Sequence, residues 1–140
     1  MRYPISAVTP IELPHHFADN GDLVVMEGLT HVPFAIARVF VVRAPLGAIR
    51  GQHAHKICTQ FLSCPIGSVK VRCDDGQKVM TYILEQPHVG LLVPPSIWME
   101  QTYLARGSVL TVLCDRPYES QDYIRDYDDF KVYRGADNNF

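Results

Sequence analysis

Residues Gly47 to Gly67 read GAIRGQHAHKICTQFLSCPIG, and the reading of this stretch decides the fold. His53 and His55 stand two apart with only Ala54 between them. In a β-strand residues i and i+2 point to the same face, so this spacing sets both imidazoles on one side. Pro45-Leu46-Gly47 reads as a turn before this strand.

The rest of the chain reads the same way. Asp19-Asn20-Gly21-Asp22 is a turn signal followed by a short strand over Leu23 to Glu27. Phe34 to Val42 is strongly β-prone, with Phe34, Ile36, Arg38 and Phe40 on one face. An arginine in that company reaches an anion or a carboxylate, or the strand is wet there. Ser68 to Cys73 alternates apolar and charged residues, and Asp74-Asp75-Gly76-Gln77 closes a hairpin onto Lys78 to Leu84. Gly90 to Val93 is a strand stopped by Pro94 and Pro95, Trp98 to Tyr103 starts another, and Val109 to Cys114 is a continuous apolar core strand. Residues up to Phe17 contain three prolines and read as an arm or an edge strand. Ser120-Gln121-Asp122 can cap one or two helical turns through Tyr127. About nine short strands with regular turns predict an all-β antiparallel sandwich or barrel, a jelly roll, with a short C-terminal helical turn.

With 140 residues, the chain 1–140 is expected to be one domain with one core. Net charge is −2 with no basic block, which gives nucleic-acid binding no electrostatic support. No run reaches the ~18 apolar residues of a membrane span, and the start lacks a signal-peptide pattern, so a cytoplasmic protein is expected. Cys58, Cys64, Cys73 and Cys114 form no CxxC pair and read as reduced, buried small hydrophobes. His15, His16, His31 and His88 lie near turns or prolines and read as surface residues.

Five residues separate Gly47 from His53, four separate His55 from Gln60, and six separate Gln60 from Gly67. This resembles the first motif of the cupin superfamily, with Gln60 in the place of its glutamate. The second motif resembles Pro94-Pro95-Ser96-Ile97-Trp98-Met99, with Met99 in the histidine slot. Two of four metal ligands remain, and neither an amide nor a thioether is a good replacement for a hard or borderline cation, so no metal is expected. The pair of imidazoles is left for proton transfer near neutral pH.

His-Ala-His-Lys, the CDDG hairpin, PPSIW and the tail Asp122-Tyr123-Ile124-Arg125-Asp126-Tyr127-Asp128-Asp129-Phe130 occur in one order. Together they resemble the sugar-nucleotide 3,4-ketoisomerases of the cupin superfamily, the WxcM-like proteins, from about Asp19 to Phe130. The resemblance implies a cupin-type jelly roll and conversion of dTDP-4-keto-6-deoxyglucose to its 3-keto isomer, on the way to a 3-amino sugar. It implies no metal or other cofactor, and a homodimer with exchanged N-terminal strands. His53 is by resemblance the base, and His55 would orient it or supply the proton. Gln60 would donate to a sugar oxygen, Arg38 and Arg50 would meet the pyrophosphate, and Trp98 would offer a flat wall to a sugar or thymine ring. Tyr123 and Tyr127, with Arg125 between them, read as structural or as part of a subunit contact. Three positions depart from the family pattern: Phe40 replaces a tyrosine, Asn20 an arginine or tyrosine, and Met99 a histidine or arginine. A 3,5-epimerase-like cupin, a metal-dependent dioxygenase using His53 and His55, and a binding module without turnover are the alternatives.

Overall fold

The computed structural model describes residues 2–138, with side chains through Gly135. Two five-stranded antiparallel sheets dominate. In the first, β1 (Thr9–Glu12), β9 (Val89–Val93), β6 (Gln60–Ile66), β11 (Val109–Cys114) and β4 (Arg38–Arg43) lie side by side in that order. In the second the order is β12 (Tyr123–Ile124), β5 (Ile49–His55), β10 (Trp98–Tyr103), β7 (Val69–Asp74) and β8 (Val79–Leu84). A separate hairpin joins β2 (His15–Ala18) to β3 (Gly21–Val24). This is the cupin-type jelly roll that the strand pattern predicts. Among the described residues no helix is long and apolar enough to cross a membrane.

The core follows from the period-two pattern. Val69, Val71 and Cys73 are fully buried and alternate with half-exposed Lys70 and Arg72. They pack with Met99 and Tyr103 of the same sheet against Leu62, Cys64, Leu91, Val93, Leu110 and Val112 of the other. A second cluster holds Leu13, Val32, Phe34, Phe61 and Leu113. Phe34 belongs to this cluster and not to a strand, so β4 begins at Arg38 and is shorter than the sequence predicts. Arg38, Phe40 and Val42 do share the inner face of β4, while Val39 and Val41 point outward. β3 likewise ends at Val24, before the predicted Glu27.

The C-terminal segment departs most. Residues Ser120–Asp122 form one 3-10 turn, Tyr123 and Ile124 join the second sheet beside His55 and Ala54, and the helix runs over Tyr127–Asn138. Asp126 caps it, its Oδ1 accepting from the Asp129 N–H at 3.0 Å. Asp128 and Asp129 complement the helix N-terminus. Phe130 is fully buried and packs with Ala54, Trp98 and Ile124, which fixes the helix against the end of β5.

Candidate active site

A cavity of about 200 Å³ opens between the sheets and is lined by Phe40, Val42, Arg50, Gly51, His53, Gln60, Gln101, Leu110, Val112, Tyr123 and Arg125. Three sequence-predicted residues, His53, Arg50 and Gln60, meet there. The remaining three do not line it. His55 is 3 % exposed and sits behind His53, with the ring centroids 5.0 Å apart and nearly perpendicular. Arg38 lies beside the cavity, donating to Tyr123 Oη at 3.3 Å and to Cys114 Sγ at 3.4 Å. Trp98 is buried at 3 % exposure under the C-terminal helix, its indole N–H donating to Glu100 Oε2 at 3.1 Å. It is a packing residue, and the expectation of a ligand wall there is corrected: i, i+2 alternation sends Trp98 to the same side as Ala54 and Phe130.

The approach of His53 is set by backbone geometry. Gly51 has φ +85° and Gln52 φ +54°, and the pairing of β5 with β10 shifts register between Met99 and Glu100. The positive φ at Gly51 is one that side chains rarely adopt, and a Cβ there would also push aside the Gln101 amide, so glycine suits this irregularity. The bend brings the Gly51 carbonyl within 2.9 Å of His53 Nδ1. Nδ1–H must be the donor to a carbonyl, which leaves the Nε2 lone pair free. Burial pushes the His53 pKa down to about 4, against the smaller opposing effect of that hydrogen bond. At neutral pH His53 is therefore an uncharged acceptor.

His55 has a different partner. Its Nδ1 lies 2.8 Å from Asp122 Oδ2, and both side chains are almost wholly buried. Burial lowers the His55 pKa, opposed by the Asp122 carboxylate. Asp122 is held in turn by the Ile57 N–H, 2.6 Å from Oδ1, and its backbone carbonyl accepts from the Lys56 N–H at 2.8 Å. The aspartate that reads in the sequence as a helix cap is thus the carboxylate that orients His55.

Tyr123 is the second residue that sequence reasoning misplaces. Its ring lies 5.0 Å from the His53 ring and 4.4 Å from the His55 ring, and it lines the cavity. Its hydroxyl accepts from Arg38, so its own proton remains available for donation. Arg125 stacks over Tyr123, 4.2 Å from the ring centre, and also lines the cavity. The sequence signal for both was the alternation of Tyr123 and Arg125 about Ile124, which points them to one side of a short strand. The cavity wall thus carries two arginines and no carboxylate, an arrangement suited to an anionic ligand. His15 and His88, expected on the surface, are half-buried and stack at 4.6 Å, far in sequence from this site.

Fold and site define a cupin-type barrel with a packed pair of histidines, one of them facing an arginine-rimmed cavity. Comparison with known proteins is consistent with that description. A family model described as "FdtA: WxcM-like, C-terminal" matches residues 6–135, and the chain belongs to this family. It is 41 % identical over 115 residues to a TDP-4-oxo-6-deoxy-alpha-D-glucose-3,4-oxoisomerase of Aneurinibacillus thermoaerophilus, covering 81 % of this chain and 83 % of that one. Its fold is similar to that of a mutant of the 3,4-ketoisomerase QdtA from Thermoanaerobacterium thermosaccharolyticum in complex with TDP-4-keto-6-deoxyglucose. That match has a TM-score of 0.91 and 32 % identity, covering 95 % of this chain and 97 % of the other. A 3,4-ketoisomerase from Helicobacter canadensis matches with a TM-score of 0.88 and 30 % identity, over 92 % of this chain and 98 % of the other.

Proposed function

We propose that this protein is a TDP-sugar 3,4-ketoisomerase that converts TDP-4-keto-6-deoxyglucose to the 3-keto isomer by metal-independent proton transfer. The observation that carries the reading is His53, neutral and with its Nε2 free, facing a cavity rimmed by Arg50 and Arg125. At about 200 Å³ the cavity is below the ~300–1,000 Å³ that encloses a drug-sized ligand. It takes the sugar ring, and the nucleotide lies outward with its pyrophosphate toward the two arginines.

His53 Nε2 removes the proton from C3 of the sugar. The C3–H electron pair forms the C3–C4 double bond, and the C4 carbonyl becomes an enediolate oxygen. Gln60 and Tyr123, which line the cavity, offer an amide N–H and a hydroxyl to that developing charge, and Arg125 adds a positive field. A proton added at C4, with the O3 proton passing to O4, leaves a ketone at C3 and a hydroxyl at C4. Tyr123 supplies the proton added at C4, and its phenolate then recovers the proton that His53 took from C3, which returns the site to its starting state. Asp122 and His55 keep the His53 side of the cavity rigid. The 3-ketone so formed is the functional group a later transamination to a 3-amino sugar requires.

We also propose a homodimer with exchanged N-terminal strands. The β2–β3 hairpin pairs with neither sheet and exposes Phe17 and Leu23, apolar surface that a second copy would cover.

The test is proton NMR of TDP-4-keto-6-deoxyglucose incubated with the protein in deuterium oxide. New 3-keto signals with deuterium at C4, absent with His53→Asn and unchanged by chelator, are expected. Unchanged substrate with the folded wild-type protein would overturn the reading in favour of a binding module.

A further inference from the structure

Behind the cavity, three buried ligand-type side chains converge in a place that the proton-transfer chemistry does not explain. Among the described residues one group of histidine, cysteine and carboxylate side chains lies close enough to share an ion: His55, Cys58 and Asp122, with ligand atoms all within 4.8 Å of one another. Each residue is at most 5 % exposed. They come from three pieces of structure, the end of β5, the loop before β6 and the 3-10 turn before β12. Backbone bonds fix all three pieces. The Lys56 N–H donates to the Asp122 carbonyl, and the Asp115 N–H donates to the Thr59 carbonyl at 3.2 Å. The Ile57 N–H holds Asp122 Oδ1, which leaves Oδ2 facing His55.

We infer that His55, Cys58 and Asp122 form an inhibitory site for a thiophilic divalent ion of zinc's class. An imidazole, a thiolate and a carboxylate oxygen with one open position are a donor set that tetrahedral zinc accepts. Bonds of ~2.0–2.3 Å to such an ion put neighbouring ligand atoms roughly 3.3–3.7 Å apart. The His55–Asp122 contact of 2.8 Å therefore has to open slightly, and the Cys58 thiol has to leave the Thr59 carbonyl, to which it donates at 3.5 Å, and turn toward the ion. Binding is balanced by release of one proton, from the Cys58 thiol. The ring nitrogen of His55 that faces Asp122 passes its proton to Nε2, which is buried and without a partner in the metal-free arrangement. Access is through the Lys56–Thr59 loop, whose Lys56 and Ile57 are exposed. The ion replaces the hydrogen bond that orients His55 and displaces the ring that packs against His53, so turnover stops.

The site differs from the His53–His55 centre of a metal cupin because it uses Cys58 and Asp122, neither of which lines the cavity. The full chain, treated with chelator and desalted, is titrated with Co²⁺ alone. One equivalent is expected to produce the near-ultraviolet absorption of a cobalt thiolate, and Zn²⁺ is expected to displace it and to raise the melting temperature. Cys58→Ser abolishes the thiolate band and weakens binding at least ~10-fold, while Cys73→Ser, a buried cysteine on β7, leaves both unchanged. Zn²⁺ then inhibits wild-type isomerisation and leaves Cys58→Ser active. Absence of a thiolate band in the wild type overturns the site whatever the variants do, and equal inhibition of Cys58→Ser assigns the ion to another place and overturns it too. The absorption and melting measurements use no sugar, so they stand or fall separately from the isomerase reading.

Discussion

His53 and His55 are the same residue type on the same strand, two positions apart, and the fold gives them opposite surroundings. His53 is tied to a backbone carbonyl and turns its free nitrogen to a cavity. His55 is tied to a buried carboxylate and turns its free nitrogen to protein. Burial pushes both below the ordinary histidine value, yet only one faces a space where a substrate can sit. Chemistry at such a pair is therefore decided by the partner of Nδ1 and by what lies beyond Nε2, and the two roles should separate on mutation.

Replacing the cavity-facing member has the largest effect on turnover. His53→Asn should lower kcat by ~10²–10⁴-fold, the usual contribution of a general base, with little change in melting temperature, as steady-state kinetics and calorimetry would report. The buried partner of His55 should show what His53 does not, a large loss of stability. Asp122→Ala leaves the His55 and Ile57 N–H donors unsatisfied, at about 1–3 kcal/mol for each. Denaturant unfolding should show that loss, and a variant as stable as the wild type would break the comparison.

A middle-sized effect tests the proton donor. Tyr123→Phe keeps the ring packed against both imidazoles and removes only the hydroxyl. Deuterium exchange at C3 should continue while formation of the 3-keto product slows by about 10-fold or more. Equal loss of both would move Tyr123 from donor to positioning residue.

The pH dependence sharpens the contrast further. The folded pKa of His53 is about 4, below its ordinary value of 6.5, so between these values the unfolded chain binds more protons than the folded one. Stability should therefore be full above about pH 6.5 and fall as the pH drops toward 4. The acid limb of kcat/KM should likewise lie well below 6.5. A limb at the ordinary histidine value would mean that His53 is more solvated than its surroundings imply. The smallest effect on activity belongs to Trp98. Trp98→Phe should leave TDP-sugar turnover within about twofold and lower stability by about 1–2 kcal/mol through lost packing and the lost indole bond.

Most of the barrel was legible in the sequence because its strands announce themselves locally. Val69, Val71 and Cys73 alternate with charges, Val109 to Cys114 is uniformly apolar but for Thr111, and prolines end β9 where Val93 ends. The C-terminal segment was not legible, for a physical reason. Asp122 and Asp126 are both followed by residues a helix accepts, and a capping pattern cannot tell which aspartate caps and which is needed elsewhere. Contact with His55, 67 residues away in the chain, decides that Asp122 turns inward, and Asp126 is left to start the helix.

The same division runs through the site. Sequence alone determined that two imidazoles share one strand face, that Gln60 and Met99 remove two metal ligands from the cavity motif, and that the chain resembles the family to which it belongs. Those are statements about spacing and chemical type, which a strand transmits directly. Only the tertiary structure decided which histidine sees the cavity, that Tyr123 and Arg125 join it, and that Trp98 lies under a helix. Each of those depends on pairings between distant segments, β12 against β5 and the helix against both, and no local pattern encodes the partner of a side chain that must cross the fold to find it.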